Sequence, residues 1–205
     1  MKPLRLKTSP DIYVLEDFLA DVVEGSLIFP NEENQIFRWK KELTVRLIES
    51  LYFGYPIGTF VLWGERYRQT SFPFSTLTTI GGCTVEGGEG YSCIVADGFH
   101  RTTAMVGALS NGRADSNWRV LFNLETEEFS LDDSSPNTYS VHELYGNRNL
   151  FSLCKKLESE GKKELIEAAR EFYDRLHKTR LSVVRITNGT WESAKEAVRR
   201  LDLCL

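Results

Sequence analysis

The densest grouping of reactive side chains is the run Val95-Ala96-Asp97-Gly98-Phe99-His100-Arg101-Thr102-Thr103-Ala104-Met105. Apolar residues lead into a carboxylate and a glycine, and small apolar residues then repeat at helical spacing. A strand that turns into a helix delivers Asp97 to a corner. The first N–H groups of a helix lack internal partners and carry the positive end of its dipole, so such a corner suits an anion. Gly98 permits a tight turn and close approach by a ligand. Arg101 offers a planar guanidinium for bidentate phosphate binding, and Thr102 and Thr103 add hydroxyls. Asp97 suits a magnesium ion or the orientation of an attacking water. The same residues also fit a plainer role, with Asp97 capping the helix, Arg101 a solvated charge and His100 a packed bystander.

A second grouping is Phe53-Gly54-Tyr55-Pro56-Ile57-Gly58. Two glycines around a proline make a rigid loop that other groups can approach closely. Taken alone it is a helix end and a turn. Trp39 and Trp63 bracket it and read as core anchors rather than as platforms for stacking bases.

The elements that must position these groups follow from periodicity. Val14, Leu15, Phe18, Leu19 and Val22 predict a helix over Ile12 to Glu24, and Leu27-Ile28-Phe29 a short strand ended by Pro30. Leu43, Leu47, Ile48 and Leu51 share one face of a helix closed by Gly54. Thr59 to Trp63 and Tyr91 to Ala96 read as buried strands. Residues 64–90 hold Gly81-Gly82 and Gly87-Gly88-Glu89-Gly90 around short β-prone pieces, which predicts a surface hairpin. A glycine-rich phosphate cradle would instead open a helix. Trp118 to Leu124 and Glu128 to Leu131 predict a hairpin, and Asp132 to Thr138 a polar loop. Helical stripes follow at Leu150, Phe151, Leu153, Cys154 and Leu157, and at Leu165, Ala169, Phe172 and Leu176. A strand over Leu181 to Ile186 and a helix over Trp191 to Leu205 close the chain. The expectation is an α+β fold, with a small mixed sheet in the first half and flanking helices. Residues 1–135 form its core, with an insertion at 64–90, and 136–205 a mostly helical extension.

Composition excludes several classes. With 205 residues, 41% of them apolar, the chain can bury a real core and needs no disulfide staples. No apolar run approaches the ~20 residues of a membrane span, and MKPLRLKTSPD lacks the apolar core of a secretory signal. Four scattered cysteines without a C-x-x-C pair point to a reducing, cytoplasmic setting. Three histidines spread along the chain do not make a zinc site. A net charge of -4 argues against a dedicated DNA coat. Lys155-Lys156, Lys162-Lys163, Arg170, Arg175, Lys178 and Arg180 are the candidate DNA-facing cations. Glutamates at 158, 160, 164, 167 and 171 interleave with them, which reads as a solvated helical face.

Taken in order, the pieces resemble the N-terminal domain of GmrSD-type restriction endonucleases, a family of the ParB/sulfiredoxin-like superfamily. The resemblance rests on LIFPNEENQIFRWKKELTVRLIESLYFGYPIGTFVLW (Leu27 to Trp63) and on Asp97-Gly98-Phe99-His100-Arg101 opening a helix. Leu121-Phe122-Asn123-Leu124 with Phe129, and Val198-Arg199-Arg200-Leu201-Asp202, are similar to the family's paired strands and final helix. The sequence departs from the family at three places. Asn34-Gln35 stands where Gln-Arg is usual, and Phe99-His100 replaces Gln-Gln. The last helix stops before its usual glycine. No His-Asn-His nuclease module is present, and sulfiredoxin's cysteine would fall at Phe99.

The resemblance implies a ParB/sulfiredoxin-like fold that binds nucleoside triphosphates with magnesium, and hydrolysis coupled to a conformational switch in a prokaryotic or phage DNA-defence system. On that basis Asp97 holds metal or activates water, Arg101 holds phosphate, and His100 relays a proton or donates a hydrogen bond. Gly98, Thr102 and Thr103 line the phosphates, while Pro56-Ile57-Gly58 faces the sugar or base. A catalytically weak nucleotide sensor or DNA-binding regulator stands as the alternative. DNA, a nuclease effector domain or protein, and a second copy of the chain remain open as partners.

Overall fold

The computed structural model describes residues 5–32, 36–64, 74–85, 93–110, 118–132 and 135–202. Its centre is a five-stranded mixed sheet. The strands are β1 (Thr8–Val14), β2 (Leu27–Ile28), β3 (Phe60–Trp63), β6 (Cys93–Asp97) and β10 (Arg180–Ile186), in the order β1-β10-β3-β6-β2. β1 runs antiparallel to β10 and β3 antiparallel to β6, while β10 with β3 and β2 with β6 are parallel. Between them, β4 (Thr79–Ile80) and β5 (Cys83–Thr84) form a small hairpin.

Both faces of this sheet are covered, and alternation within the strands shows how. Phe60 and Leu62 of β3, with Cys93 and Val95 of β6, face the main core. Val61 and Trp63, with Ile94 and Ile186, face α7 (Trp191–Asp202) through Trp191 and Ala194. Side chains of a strand alternate between faces, so a strand buried on both reads as an unbroken apolar run. That is why Phe60-Val61-Leu62-Trp63 carries no polar residue.

The main core is closed by α1 (Leu15–Val23), α2 (Lys41–Phe53) and α3 (Phe99–Met105), the last continuing as a π-helical turn over Val106–Ser110. α2 ends on Gly54 in the left-handed region at φ 75°, whose N-terminal neighbour Phe53 is the last helical residue. A three-stranded sheet, β8-β7-β9, packs at one end: β7 (Leu121–Asn123), β8 (Phe129–Ser130) and β9 (Thr138–Ser140). It leads into α4 (Val141–Tyr145), whose start is closed by a reciprocal Ser140–Glu143 capping box. The pair α5 (Asn147–Ser159) and α6 (Lys163–His177) follows.

An aromatic cluster joins this end to α2. The Phe172 ring lies 4.7 Å from Phe122 and 5.3 Å from Tyr52, and Phe122 lies 4.7 Å from Phe129. Burial pushes the Tyr52 hydroxyl up to about 12, although the Arg175 guanidinium pulls the other way.

The α+β class is as expected, with three differences in detail. Ile12-Tyr13-Val14 finish β1 instead of opening α1, because they pair with Ser182, Leu181 and Arg180. β-branched and aromatic residues suit a strand, and their spacing merely continued the helical pattern. Secondly, the sheet is not confined to the first half: β10, from far along the chain, lies between β1 and β3. A further short strand, β9, begins at the last residue of the expected polar loop and pairs with β7. Thirdly, Phe151 is exposed beside the Lys155 ammonium and does not belong to the apolar stripe of α5. Residues 65–73 and 86–90 of the glycine-rich insertion lie outside the described residues, as do Asn34-Gln35 and the first two residues, 91–92, of the strand expected from Tyr91. No helix among the described residues is long and apolar enough to cross a membrane.

Phe172 is fully buried and touches rings from three other elements. Phe172→Ala is expected to cost about 3–5 kcal/mol, read as a lower urea midpoint with an unchanged slope.

Candidate functional site

β3 and β6 are neighbours, with Val61 opposite Asp97 and a bulge beside Val61. This register brings the turn before β3 against the corner after β6. Gly98 makes the corner at φ 113°, and a Cβ there would lie 2.3 Å from the buried Phe60 ring. Glycine is therefore required twice over, by backbone conformation and by space. Gly98 is also the N-cap of α3 and brings no side-chain cap. Asp97 is thus not the helix cap that its position suggested.

The Asp97 carboxylate instead meets Arg101, whose Nη2 donates to Oδ2 at 2.9 Å. Nη2 also donates to the Thr59 carbonyl at 3.0 Å, and Nη1 to the Ile57 carbonyl at 2.8 Å. The guanidinium carbon lies 4.4 Å from the centre of the Phe60 ring, a cation–π arrangement. Arg101 is therefore neither a solvated charge nor an idle one. It fastens the Pro56-Ile57-Gly58 turn to the Asp97 corner with three of the five N–H donors a guanidinium carries. Gly58, at φ 85°, lies against it so closely that a Cβ would fall 2.7 Å from Nη1.

Burial draws the Arg101 guanidinium below its ordinary value, and the Asp97 charge and hydrogen bond oppose that shift. The Arg101 side chain is 15% exposed and that of Asp97 40%, so the carboxylate still faces water.

The other candidate residues divide. Pro56, Ile57, Gly58, Asp97, Gly98 and Arg101 are brought together. Thr102 and Thr103 are buried, and the Thr103 hydroxyl donates to the Phe99 carbonyl at 2.8 Å. The Thr102 hydroxyl and His100 Nδ1 are buried without a hydrogen-bond partner. His100 packs into a ring cluster: Trp39 lies 5.9 Å away and nearly parallel, Phe37 at 5.7 Å and Phe99 at 5.3 Å. Burial, reinforced by the Arg38 charge, lowers its basicity and so favours the neutral imidazole.

Sequence reasoning missed Phe60, which lies between Gly98 and the guanidinium. It also missed the carbonyls of Ile57 and Thr59 as partners of Arg101, because backbone acceptors leave no mark in residue types. On the far side of the same turn a cleft of about 460 Å³ is lined by Tyr55, Pro56, Gly58, Arg180 and Ser182. Among the described residues, no group of three or more His, Cys, Asp or Glu side chains is placed to hold a metal ion unaided.

Comparison with known proteins decides the family. The profile described as GmrSD restriction endonuclease, N-terminal domain, matches residues 35–200, most of the chain. The chain belongs to that family. No curated protein matches it. For this GmrSD N-terminal domain, membership sets the Asp97–Arg101 corner in the context of a restriction system, and the corner's two halves fall within the matched residues.

Two substitutions test the corner. Gly98→Ala is expected to destabilise the fold by about 1–3 kcal/mol through backbone strain and collision with Phe60, measured by thermal unfolding. Arg101→Gln is expected to raise amide hydrogen exchange at residues 57–60 by at least about ten-fold over distant loops. Arg101→Lys should rescue it only weakly, because an ammonium lacks the planar fork.

Proposed function

We propose that the chain binds a magnesium–nucleoside triphosphate at the Asp97–Arg101 corner and serves as the nucleotide-responsive module of a restriction system. The observation that supports this most is the half-exposed Asp97 carboxylate beside the uncapped start of α3, with the proline turn held across from it. Uncapped amides and a local carboxylate are what an anion and its counter-cation need together. Asp97 has one oxygen engaged by Arg101 and a second directed to neither the guanidinium nor a helix cap. One or two carboxylates with substrate phosphates and water complete an ordinary magnesium shell, so a single aspartate fits the ion. Bound there, the ion would neutralise phosphate charge. Asp97 would hold it, the Phe99 and His100 amides would donate to phosphate oxygens, and the Pro56-Ile57-Gly58 turn would border the sugar or base.

A specific observation favours slow or absent turnover. Arg101 already spends three donors inside the protein, and His100 is packed into the ring cluster. Neither is free to stabilise charge as it builds on a transferring phosphoryl group. The sensing reading therefore stands ahead of efficient hydrolysis.

Titration calorimetry with each of the four ribonucleoside triphosphates, with and without magnesium, tests the proposal. Micromolar binding that needs magnesium and weakens roughly ten-fold or more in Asp97→Asn is the expected result. A parallel phosphate-release assay distinguishes sensing from hydrolysis. No binding of any nucleotide by the folded chain overturns both readings.

A further inference from the structure

The clefts of the described residues differ in how their charge is answered. One of about 590 Å³ beside α1 is lined by Asp17, Asp21 and Glu24 and by no cation. A hollow of about 490 Å³ on α6 holds Arg175 and Lys178, which pair with Glu171 and Asp174. The cleft of about 460 Å³ behind the Pro56-Ile57-Gly58 turn is unlike both, because Arg180 lines it and no carboxylate does. Arg180 is exposed, and among the described residues its side chain makes no ion pair or hydrogen bond.

Strand pairing explains why the cleft is there. β10 pairs with β1 from Arg180 onward, but its ladder with β3 begins only at Val183, opposite Phe60. Arg180 and Leu181 therefore have a strand on one side only. The residues that would continue β3 backwards are turned instead to Arg101, to which Ile57 and Thr59 give their carbonyls. A gap is left between the turn and the start of β10, closed at the end where the two strands join. Tyr55, 65% exposed, and Pro56 form an apolar rim. The Ser182 and Thr59 hydroxyls also line the gap, and among the described residues neither is hydrogen-bonded.

We propose that this cleft holds the carboxyl-terminal end of an extended peptide, its carboxylate on Arg180 and its last side chain on Tyr55 and Pro56. One guanidinium answers one negative charge, and its planar fork matches the two oxygens of a carboxylate. A phosphate brings nearly two charges and a third oxygen, which a single cation leaves partly unanswered. The carbonyl end of α2, at Gly54, borders the same cleft and penalises the more highly charged anion further. A chain laid beside Arg180 and Leu181 gains main-chain hydrogen bonds from the free strand edge, as peptides do when they extend a sheet. β3 occupies the next positions, so such a chain has to stop there, and an end fits where an internal segment does not. The volume is that of an ordinary ligand site. The site lies across the turn from Asp97 and does not depend on nucleotide binding there.

Amide NMR of the isotope-labelled full chain, titrated without nucleotide with acetyl-Ala-Ala-Phe bearing a free carboxylate, tests it. Binding at roughly millimolar strength or tighter, with shifts gathered at residues 54–59 and 180–182, is the expected result. The same peptide as its amide should bind at least about ten-fold more weakly. Arg180→Gln, with an unchanged melting temperature, should lose as much. Lys178→Gln, which lies outside the lining of the cleft, should bind as the wild type does. The amide comparison leaves the protein unaltered, so it does not rest on how a variant folds. No binding of the free-acid peptide, or shifts centred elsewhere, overturns the proposal. So does equal binding of the amide, full binding by Arg180→Gln, or displacement of the peptide by inorganic phosphate at equal concentration.

Discussion

The organisation of this domain depends on one guanidinium. Arg101 donates to a carboxylate from the end of β6 and to two carbonyls from the turn before β3. Those carbonyls precede β3, and the guanidinium gives each of them a donor. A planar group with donors in a fixed fork reaches all three acceptors at once, which an ammonium cannot do with the same pre-organisation. Gly58 leaves room for the fork, the Phe60 ring lies beneath it, and Gly98 leaves room for that ring. The residue most suggestive of phosphate binding is therefore also a brace. An anion brought to the corner would meet a guanidinium that is already partnered, which leaves the helix amides as its donors and the exposed side of Asp97 for a counter-cation.

The sheet explains why this corner exists. β3 and β6 are central and antiparallel, so the beginning of one necessarily meets the end of the other. Coverage on both faces, by α1 to α3 on one and α7 on the other, removes freedom from those strands. Fully burying each large apolar side chain stabilises by roughly 1.5–3 kcal/mol. Phe60, Leu62 and Ile94 are all essentially inaccessible, which fixes the platform on which the polar groups stand.

Much of this was legible from residue order. Periodicity located α2, α5, α6 and α7, and the strand-glycine-helix pattern located β6 and α3. Gly54 marked the end of α2 because a left-handed residue there is the ordinary way for a helix to stop. Asp97, Arg101 and the Pro56 turn could be named as neighbours through the family pattern. Spacing alone offered no reason for residues 44 positions apart to touch. The strand character of Ile12-Tyr13-Val14 was hidden because it is conferred by pairing with residues near the far end of the chain. The burial of Thr102 and Thr103 was hidden for a related reason. Which side of a seven-residue helix faces inward depends on what packs against it, and two hydroxyls leave no apolar stripe to read.

The position of β10 has a further consequence for how the molecule is made. It fills the slot between β1 and β3, yet about 120 residues of chain separate it from β3. Synthesis proceeds from the N-terminus at ~5–20 residues per second. Until residue 186 has cleared the ribosome, β1 and β3 each lack the strand that separates them, and an unpaired strand edge invites the wrong neighbour. Closure of the sheet therefore waits on a strand that emerges late, long after the two neighbours it joins.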